Sequence, residues 1–413
     1  MLRFLTAGES HGQALVAVIE GMPAGVPIDL DAVTAQLKRR QGGYGRGRRM
    51  AIESDKAQVL SGIRRGRTTG APIALLIPNK DWQNWQKTMH VEPEMPEVAT
   101  GASRAAVTRP RPGHADLAGA LKYDLADIRD VLERASARET AARVAVGSLA
   151  RQLLAQFGID VVSHVTMIGG VGLDESMAVP VEQVRAIPAD SPLGCADAGV
   201  EQKMIAAIDQ AKEAGDTLGG AFEVVVSGLP VGLGSYVQWD RKLDGRLAQA
   251  IVSIPAIKAV GIGKGPDVAR LPGSRIHDEI VPRLGPGGAG QPVGVARLTN
   301  NAGGLEGGVT NGEQLRVTGY MKPIATLMKP LRSVDLTTLE ESPAAIERSD
   351  VCAVTAAAVV GEAMVSLVIA DAFLERFTGD NLGDITRTFD QTCAALRARF
   401  AAAAAATSTA AGA

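Results

Sequence analysis

Five consecutive residues near the start of the chain, Gly8, Glu9, Ser10, His11 and Gly12, set a carboxylate, a hydroxyl and an imidazole between two glycines. Imidazole titrates near pH ~6.5 and so can give or take a proton close to neutrality. Glycines on either side let the backbone turn sharply and let a ligand come close. Taken alone, Ser10 and His11 could equally form a hydrogen-bonded strand corner, so the rest of the chain has to decide.

Three further stretches carry chemistry. Residues 38–49 hold Lys38, Arg39, Arg40, Arg46, Arg48 and Arg49, punctuated by Gly42, Gly43, Gly45 and Gly47. Guanidinium forks grip phosphate and carboxylate two-pronged, and glycines between them let several forks aim at one small region. Next, Arg109 and Arg111 precede His114, which lies between Gly113 and Asp116. Finally Arg348, Ser349 and Asp350 stand before a long apolar run. Either Ser349 or Asp350 is expected to cap that helix, an interaction of about 1 kcal/mol, leaving the other free for chemistry.

Other chemistries are poorly served. His90, His164 and His277 have no neighbours that suggest a role, and no HxH or HExxH spacing occurs, so no catalytic metal is expected. The glycines at 43, 45 and 47 and at 261, 263 and 265 lack GxGxxG spacing, and there is no P-loop pattern. Cys195, Cys352 and Cys393 are far apart and fit a reducing compartment better than a disulfide framework.

A formal net charge of −2 argues against a protein that coats nucleic acid, and 3% aromatic residues supply few stacking platforms. A pocket for a compact polyanion suits the basic loop better than nucleic acid, with a non-catalytic anion- or RNA-binding protein as the rival reading. The N-terminus lacks a signal-peptide layout. Residues 351–373 are apolar but contain Glu362 and Asp371, which reads as a buried core helix and not a membrane span. The expectation is a cytoplasmic protein without membrane or nucleic-acid partners.

The elements that must position these groups follow from periodicity. Residues 14–19 and 73–77 read as strands, and a helix begins at Asp29 and ends in Lys38, Arg39 and Arg40. Residues 79–104, with Trp82 and Trp85, read as a long surface excursion of lid type. A strong helix leads from about Thr140 to Phe157, a strand spans 159–165, a helix about 200–214, a strand 221–226, a short helix 246–251 and a strand 315–320. With no fixed repeat and no clear linker, one elaborated domain over 1–399 is expected, followed by an alanine-rich tail at 400–413.

These stretches together resemble the chorismate synthases. Residues 8–12 through Glu20, Gly21, Met22, Pro23, Ala24 and Gly25 match the first family signature, and Glu133, Ser136, Ala137, Arg138 and Thr140 the second. Arg348, Ser349, Asp350 and Ala353 match the third, which departs at Thr355, where the family usually has proline. The resemblance implies an α+β fold, a β-α-β sandwich of antiparallel sheets flanked by helices, assembled as a homotetramer. It implies a 1,4-anti elimination of phosphate from 5-enolpyruvylshikimate 3-phosphate that requires reduced FMN. Carried over, His11 would protonate the departing phosphate and His114 the anionic flavin near N1. Asp350, with Ser10 in a relay, would accept the proton passing through flavin N5. Arg40, Arg46, Arg49, Arg111, Arg134 and Arg348 would hold the anionic substrate, Arg40 and Arg46 being also the positions associated with NADP. FMN contacts would come from Arg134, Ala135, Ser136, Pro255, Ala256, Gly307, Lys322, Pro323, Ile324, Ala325, Thr326 and Arg348. Nothing suggests an added reductase domain, so external reduction of the flavin is expected, with NADPH as a possible reductant.

Overall fold

The computed structural model describes residues 1–47, 54–174, 178–282, 295–346 and 350–399. Arg48, Arg49, Arg348, Ser349 and the tail at 400–413, all singled out above, lie outside the described residues.

The chain opens with β1 (Arg3–Ala7) and β2 (Ala14–Glu20), then α1 (Leu30–Gln41), β3 (Gln58–Val59) and β4 (Ile73–Pro78). Helices α2 (Asp116–Tyr123), α3 (Arg129–Ala135) and α4 (Thr140–Ala155) follow, then β5 (Asp160–Ile168) and β6 (Val171–Gly172). Next come α5 (Ala198–Ala214), β7 (Gly220–Ser227), α6 (Leu243–Val252), β8 (Ile257–Ile262) and β9 (Leu315–Met321). The chain closes with α7 (Val354–Arg376) and α8 (Leu382–Ala398).

Among the described residues the two larger sheets, both antiparallel, have the orders β1-β2-β4-β3 and β8-β9-β7-β5-β6, beside four two-stranded ribbons. The strand alternation shows why. Leu15, Ala17 and Ile19 of β2 and Ile73, Leu75 and Ile77 of β4 all point to one buried face, which packs on α4. The second sheet turns Phe222, Val224 and Val226 toward α7. Helices α1, α4 and α7 thus fill the layer between the sheets, the β-α-β sandwich. At Gly147 a Cβ would lie 2.4 Å from the Ala363 Cβ, so the glycine is what lets α4 and α7 cross closely.

Helix α7 is apolar on every side, and 83% of its most apolar stretch is buried inside the protein. Its one deep charge, Glu362, is gripped by Arg39 through two bonds of 2.7 and 2.8 Å, by Arg151 at 2.9 Å and by Ser163 at 2.7 Å. Burial pushes the Glu362 carboxyl up, but the arginines outweigh it and hold it below the usual carboxylate range. This cluster ties α1, α4 and β5 to the central helix.

Two expectations need correction. Asp350 does not cap the long helix: the N-cap position is Ala353, without a side-chain bond, and Asp350 turns to the basic loop instead. Residues 79–104 are not purely a surface excursion either. Trp85 is 5% exposed and packs inward, because its ring finds a stacking partner described next.

Candidate active site

The loop between β1 and β2 is fixed at every residue from outside. Gly8 has φ +103°, and a Cβ there would lie 2.3 Å from the Ala14 carbonyl oxygen, so only glycine makes this turn. Arg134 donates to the carbonyls of Thr6 and Gly8 at 2.9 and 3.1 Å. Asn79 Nδ2 donates to the carbonyls of Glu9 and Gly12 at 3.1 and 2.7 Å. Residue Glu133 takes the middle of the loop: its carbonyl accepts the Ser10 N–H at 3.0 Å and its carboxylate accepts the His11 N–H at 2.8 Å. The same carboxylate lies 2.8 Å from His11 Nδ1. The imidazole is stacked on Trp85, with ring centres 3.7 Å apart and planes 18° apart. Ser136, which also caps the turn at Arg138, donates from its hydroxyl to Ser10 Oγ at 3.1 Å.

A second group joins it through Arg138. This buried side chain donates to Asn79 Oδ1 at 3.0 Å and to both oxygens of Asp55 at 2.7 and 2.6 Å. Arg40, at the end of α1, is buried beside it and donates to Thr140 Oγ1 at 2.8 Å and to the Ala137 carbonyl at 3.0 Å. Burial pulls the Arg40 guanidinium down to about 10, Asp55 opposing and Arg46 and Arg138 reinforcing, so it stays cationic at neutral pH. Its Nη1 is buried with no hydrogen-bond partner among the described residues and lies 3.8 Å from Asp55. Arg46 pairs with Asp350 at 3.0 Å, and Asp350 also accepts the Gly47 N–H at 2.6 Å.

The third group is built on His114. Its Nδ1 lies 2.5 Å from Asp116 Oδ1. Arg111 binds the other Asp116 oxygen through its backbone N–H at 3.0 Å and its Nε at 2.8 Å. Burial pushes the Asp116 carboxyl up, but bonds from His114 and Arg111 overcome it and hold it well below the usual carboxylate range. Arg111 Nη1 reaches Thr326 Oγ1 at 3.0 Å, and Lys322 Nζ donates to the Gly113 carbonyl at 2.8 Å. Burial, then the charge of Lys258, draws the Lys322 ammonium below its ordinary value. The Lys322 N–H donates to the carbonyl of Ala256, a non-glycine residue held at φ +69° just after Pro255.

Backbone bonds set the groups side by side. The Val351 N–H donates to the Gly45 carbonyl, the Leu218 N–H to the Val351 carbonyl, and the Thr217 hydroxyl to the Ile324 carbonyl, at 2.8, 2.9 and 2.8 Å. The basic loop, Asp350 and the segment Lys322, Pro323, Ile324, Ala325 and Thr326 therefore share one edge of the sandwich. Ala135 ends α3 between Arg134 and Ser136. Gly307 stands apart, at the tip of the hairpin Leu305–Glu306 and Val309–Thr310, beside Tyr236. No hydrogen bond among the described residues ties it to the three groups.

Sequence reasoning passed over four residues that hold these groups in place: Trp85, Asn79, Asp55 and the Glu133 carboxylate as partner of His11. Glu133 and Asp116 each stood in a stretch already singled out, so a carboxylate partner for each histidine was available to find. Nothing local distinguishes Asn79, Asp55 or Trp85.

Two histidines, each on a carboxylate, with guanidiniums and an ammonium in the neighbouring groups, are side chains that could move a proton to or from a multiply anionic ligand. The family model described as chorismate synthase matches residues 2–374. A chorismate synthase of Solibacter usitatus is 54% identical over 390 residues, covering 94% of this chain and 98% of its own. That of Moorella thermoacetica is 57% identical over 384 residues, covering 92% and 96%. A solved structure, "Crystal Structure of Chorismate Synthase", superimposes with a TM-score of 0.75 at 39% identity, covering 96% of this chain and 98% of the other. The chain belongs to the chorismate synthase family.

Proposed function

We propose that the chain converts 5-enolpyruvylshikimate 3-phosphate into chorismate in the shikimate pathway, by 1,4-anti elimination of phosphate from C3 and hydrogen from C6. The observation that carries this reading is the pair of histidines, each with Nδ1 on a nearly or fully buried carboxylate: His11 on Glu133 and His114 on Asp116. A carboxylate accepts and never donates, so His11 keeps its proton at Nδ1 and works through Nε2; at His114 the Asp116 oxygen at 2.5 Å, nearer than the Arg111 Nη2 at 3.1 Å, sets the same choice.

His11 in its imidazolium form gives the Nε2 proton to the departing phosphate and keeps the Nδ1 proton on Glu133. Arg40, Arg46, Arg49, Arg111 and Arg348 hold the phosphate and the two carboxylates of the substrate, with Arg134 fixing the His11 loop that faces them. Asp350, with Ser10 as relay, is the final acceptor of the proton lost from C6. Forks of this kind are pre-organised for oxyanions and need little rearrangement as charge moves to the leaving group.

Reduced FMN, when bound, supplies electron density as the phosphate leaves. The residues fit such a group: Arg40 Nη1, buried without a hydrogen-bond partner among the described residues, the Lys322 ammonium and the Thr326 hydroxyl are donors suited to an anionic, phosphate-bearing ligand. Its holders are Arg134, Ala135, Ser136, Pro255, Ala256, Gly307, residues 322–326 and Arg348, and His114 presents its Nε2 proton to it. NADPH is the external reductant in this reading, with Arg40 and Arg46 as its phosphate contacts. The working form is a cytoplasmic homotetramer.

The deciding experiment is anaerobic incubation with chemically reduced FMN and 5-enolpyruvylshikimate 3-phosphate. Chorismate should form, and FMN should bind more tightly when substrate is present. No product and no flavin binding would leave the anion- or RNA-binding reading of residues 38–49 in its place.

A further inference from the structure

We infer that Glu133 and Trp85 are positioning residues for His11: Glu133 decides which ring nitrogen carries the proton, and Trp85 decides the plane in which the ring lies. The inference rests on the proposed role of His11 as the acid for the leaving phosphate.

The Glu133 side chain is 0% exposed, and among the described residues no lysine or arginine pairs with it. Among the described residues both its oxygens are spent on His11, on the backbone N–H at 2.8 Å and on Nδ1 at 2.8 and 3.0 Å. Burying a carboxylate is costly, and an apolar side chain would fill the same space without that cost. What only a carboxylate supplies is an acceptor for two donors of one residue. It pins the backbone and the ring of His11 at once and leaves Nε2 as the nitrogen that exchanges protons.

The bonds at Nδ1 limit rotation about Cβ–Cγ but still let the ring rock out of its plane. Trp85 removes that freedom, lying against the imidazole with centres 3.7 Å apart. Its indole is itself held, Nε1 donating to Asp81 Oδ2 at 2.9 Å. The Arg104 guanidinium lies 3.8 Å from the same indole centre. Two groups that close to one ring centre must occupy opposite faces, so the order is Arg104, Trp85, His11. Asn79 bonds the loop at both ends of the Glu9 to Gly12 turn, which keeps the segment carrying Trp85 in register with His11. Proton transfer by a well-placed side chain is worth about 10²- to 10⁴-fold, and geometry is the condition for it.

The test uses the full chain labelled with ¹⁵N-histidine, five residues in all, and solid-state spectra that show which ring nitrogen is protonated. In the parent, neutral His11 should carry its proton on Nδ1; in Glu133→Gln the Nε2–H form should appear. With the substrate assay, Glu133→Gln should lower kcat about 100-fold while KM stays within about threefold. Trp85→Phe, which keeps a stacked ring, should retain kcat within about fivefold, whereas Trp85→Ala should lose more than about tenfold. An unchanged tautomer in Glu133→Gln overturns the role of Glu133. Equal losses in Trp85→Phe and Trp85→Ala overturn that of Trp85. A parent that makes no chorismate refutes the proposed reaction instead, and the spectra still decide the Glu133 assignment.

Discussion

Asp350 reaches back across the fold to Arg46, with its carboxylate 3.0 Å from the guanidinium, and accepts the Gly47 N–H at 2.6 Å. A carboxylate placed there closes the basic loop and leaves the start of α7 to the backbone of Ala353. Its loss should therefore cost chemistry more than helix stability.

Asp350→Asn keeps an oxygen for the Gly47 N–H and removes the charge and the proton-accepting capacity. Turnover should fall about 100-fold or more, the range of a missing general base. Thermal unfolding should shift by about 1 kcal/mol or less, since no cap is lost. Normal turnover in this variant would remove Asp350 from the proton path.

His11→Ala and His114→Ala should each lower kcat about 10²- to 10⁴-fold while leaving the fold intact. Circular dichroism and a chorismate assay on the same samples separate the two effects. Near-parental rates in either variant would rule that histidine out as an acid.

Gly8→Ala puts a Cβ 2.3 Å from the Ala14 carbonyl oxygen, at a φ of +103°. Backbone cannot give way as a flexible side chain can, so the variant should lose about 2–3 kcal/mol. Because the same turn carries His11, activity of the folded fraction should fall too. Denaturant titration alongside active-site kinetics checks both; a fully stable, fully active variant would mean the loop tolerates another path.

The Glu362 carboxyl is held below its unfolded range, so it contributes stability above that range and loses it as pH falls through the lowered folded value. Acid should thus weaken the protein progressively below about pH 4. Glu362→Gln should cost about 2–3 kcal/mol at neutral pH, leaving Arg39 and Arg151 without their buried anion. Its stability should also vary less with pH on the acid side. A variant with the parental acid limb would show that other carboxylates dominate it.

Much of the fold was legible in advance because burial imposes a local rhythm. The β-branched apolar run at residues 14–19 marks a strand, and the helical spacing of Val144, Leu149 and Leu153 marks the inner side of α4. The long apolar run holding Glu362 and Asp371 marked the central helix. Residues 79–104 misled for the converse reason: polar and Pro-containing composition hides a tryptophan whose burial depends on a distant histidine.

By itself the sequence determined which residues could do the chemistry. Side-chain type is local, so His11, His114, Asp350 and the arginines between glycines announce themselves wherever they fold. Only the tertiary structure decided their partners. His11 meets Glu133 from 122 positions away, and Gly47 meets Asp350 from 303. Any of 45 acidic side chains satisfies the same donor, and nothing in a single chain says which one the packing delivers. Closure of the sandwich chooses among them, because helices α3 and α4 emerge beside the β1–β2 loop while α1 and α7 bring the basic loop and Asp350 to that same edge.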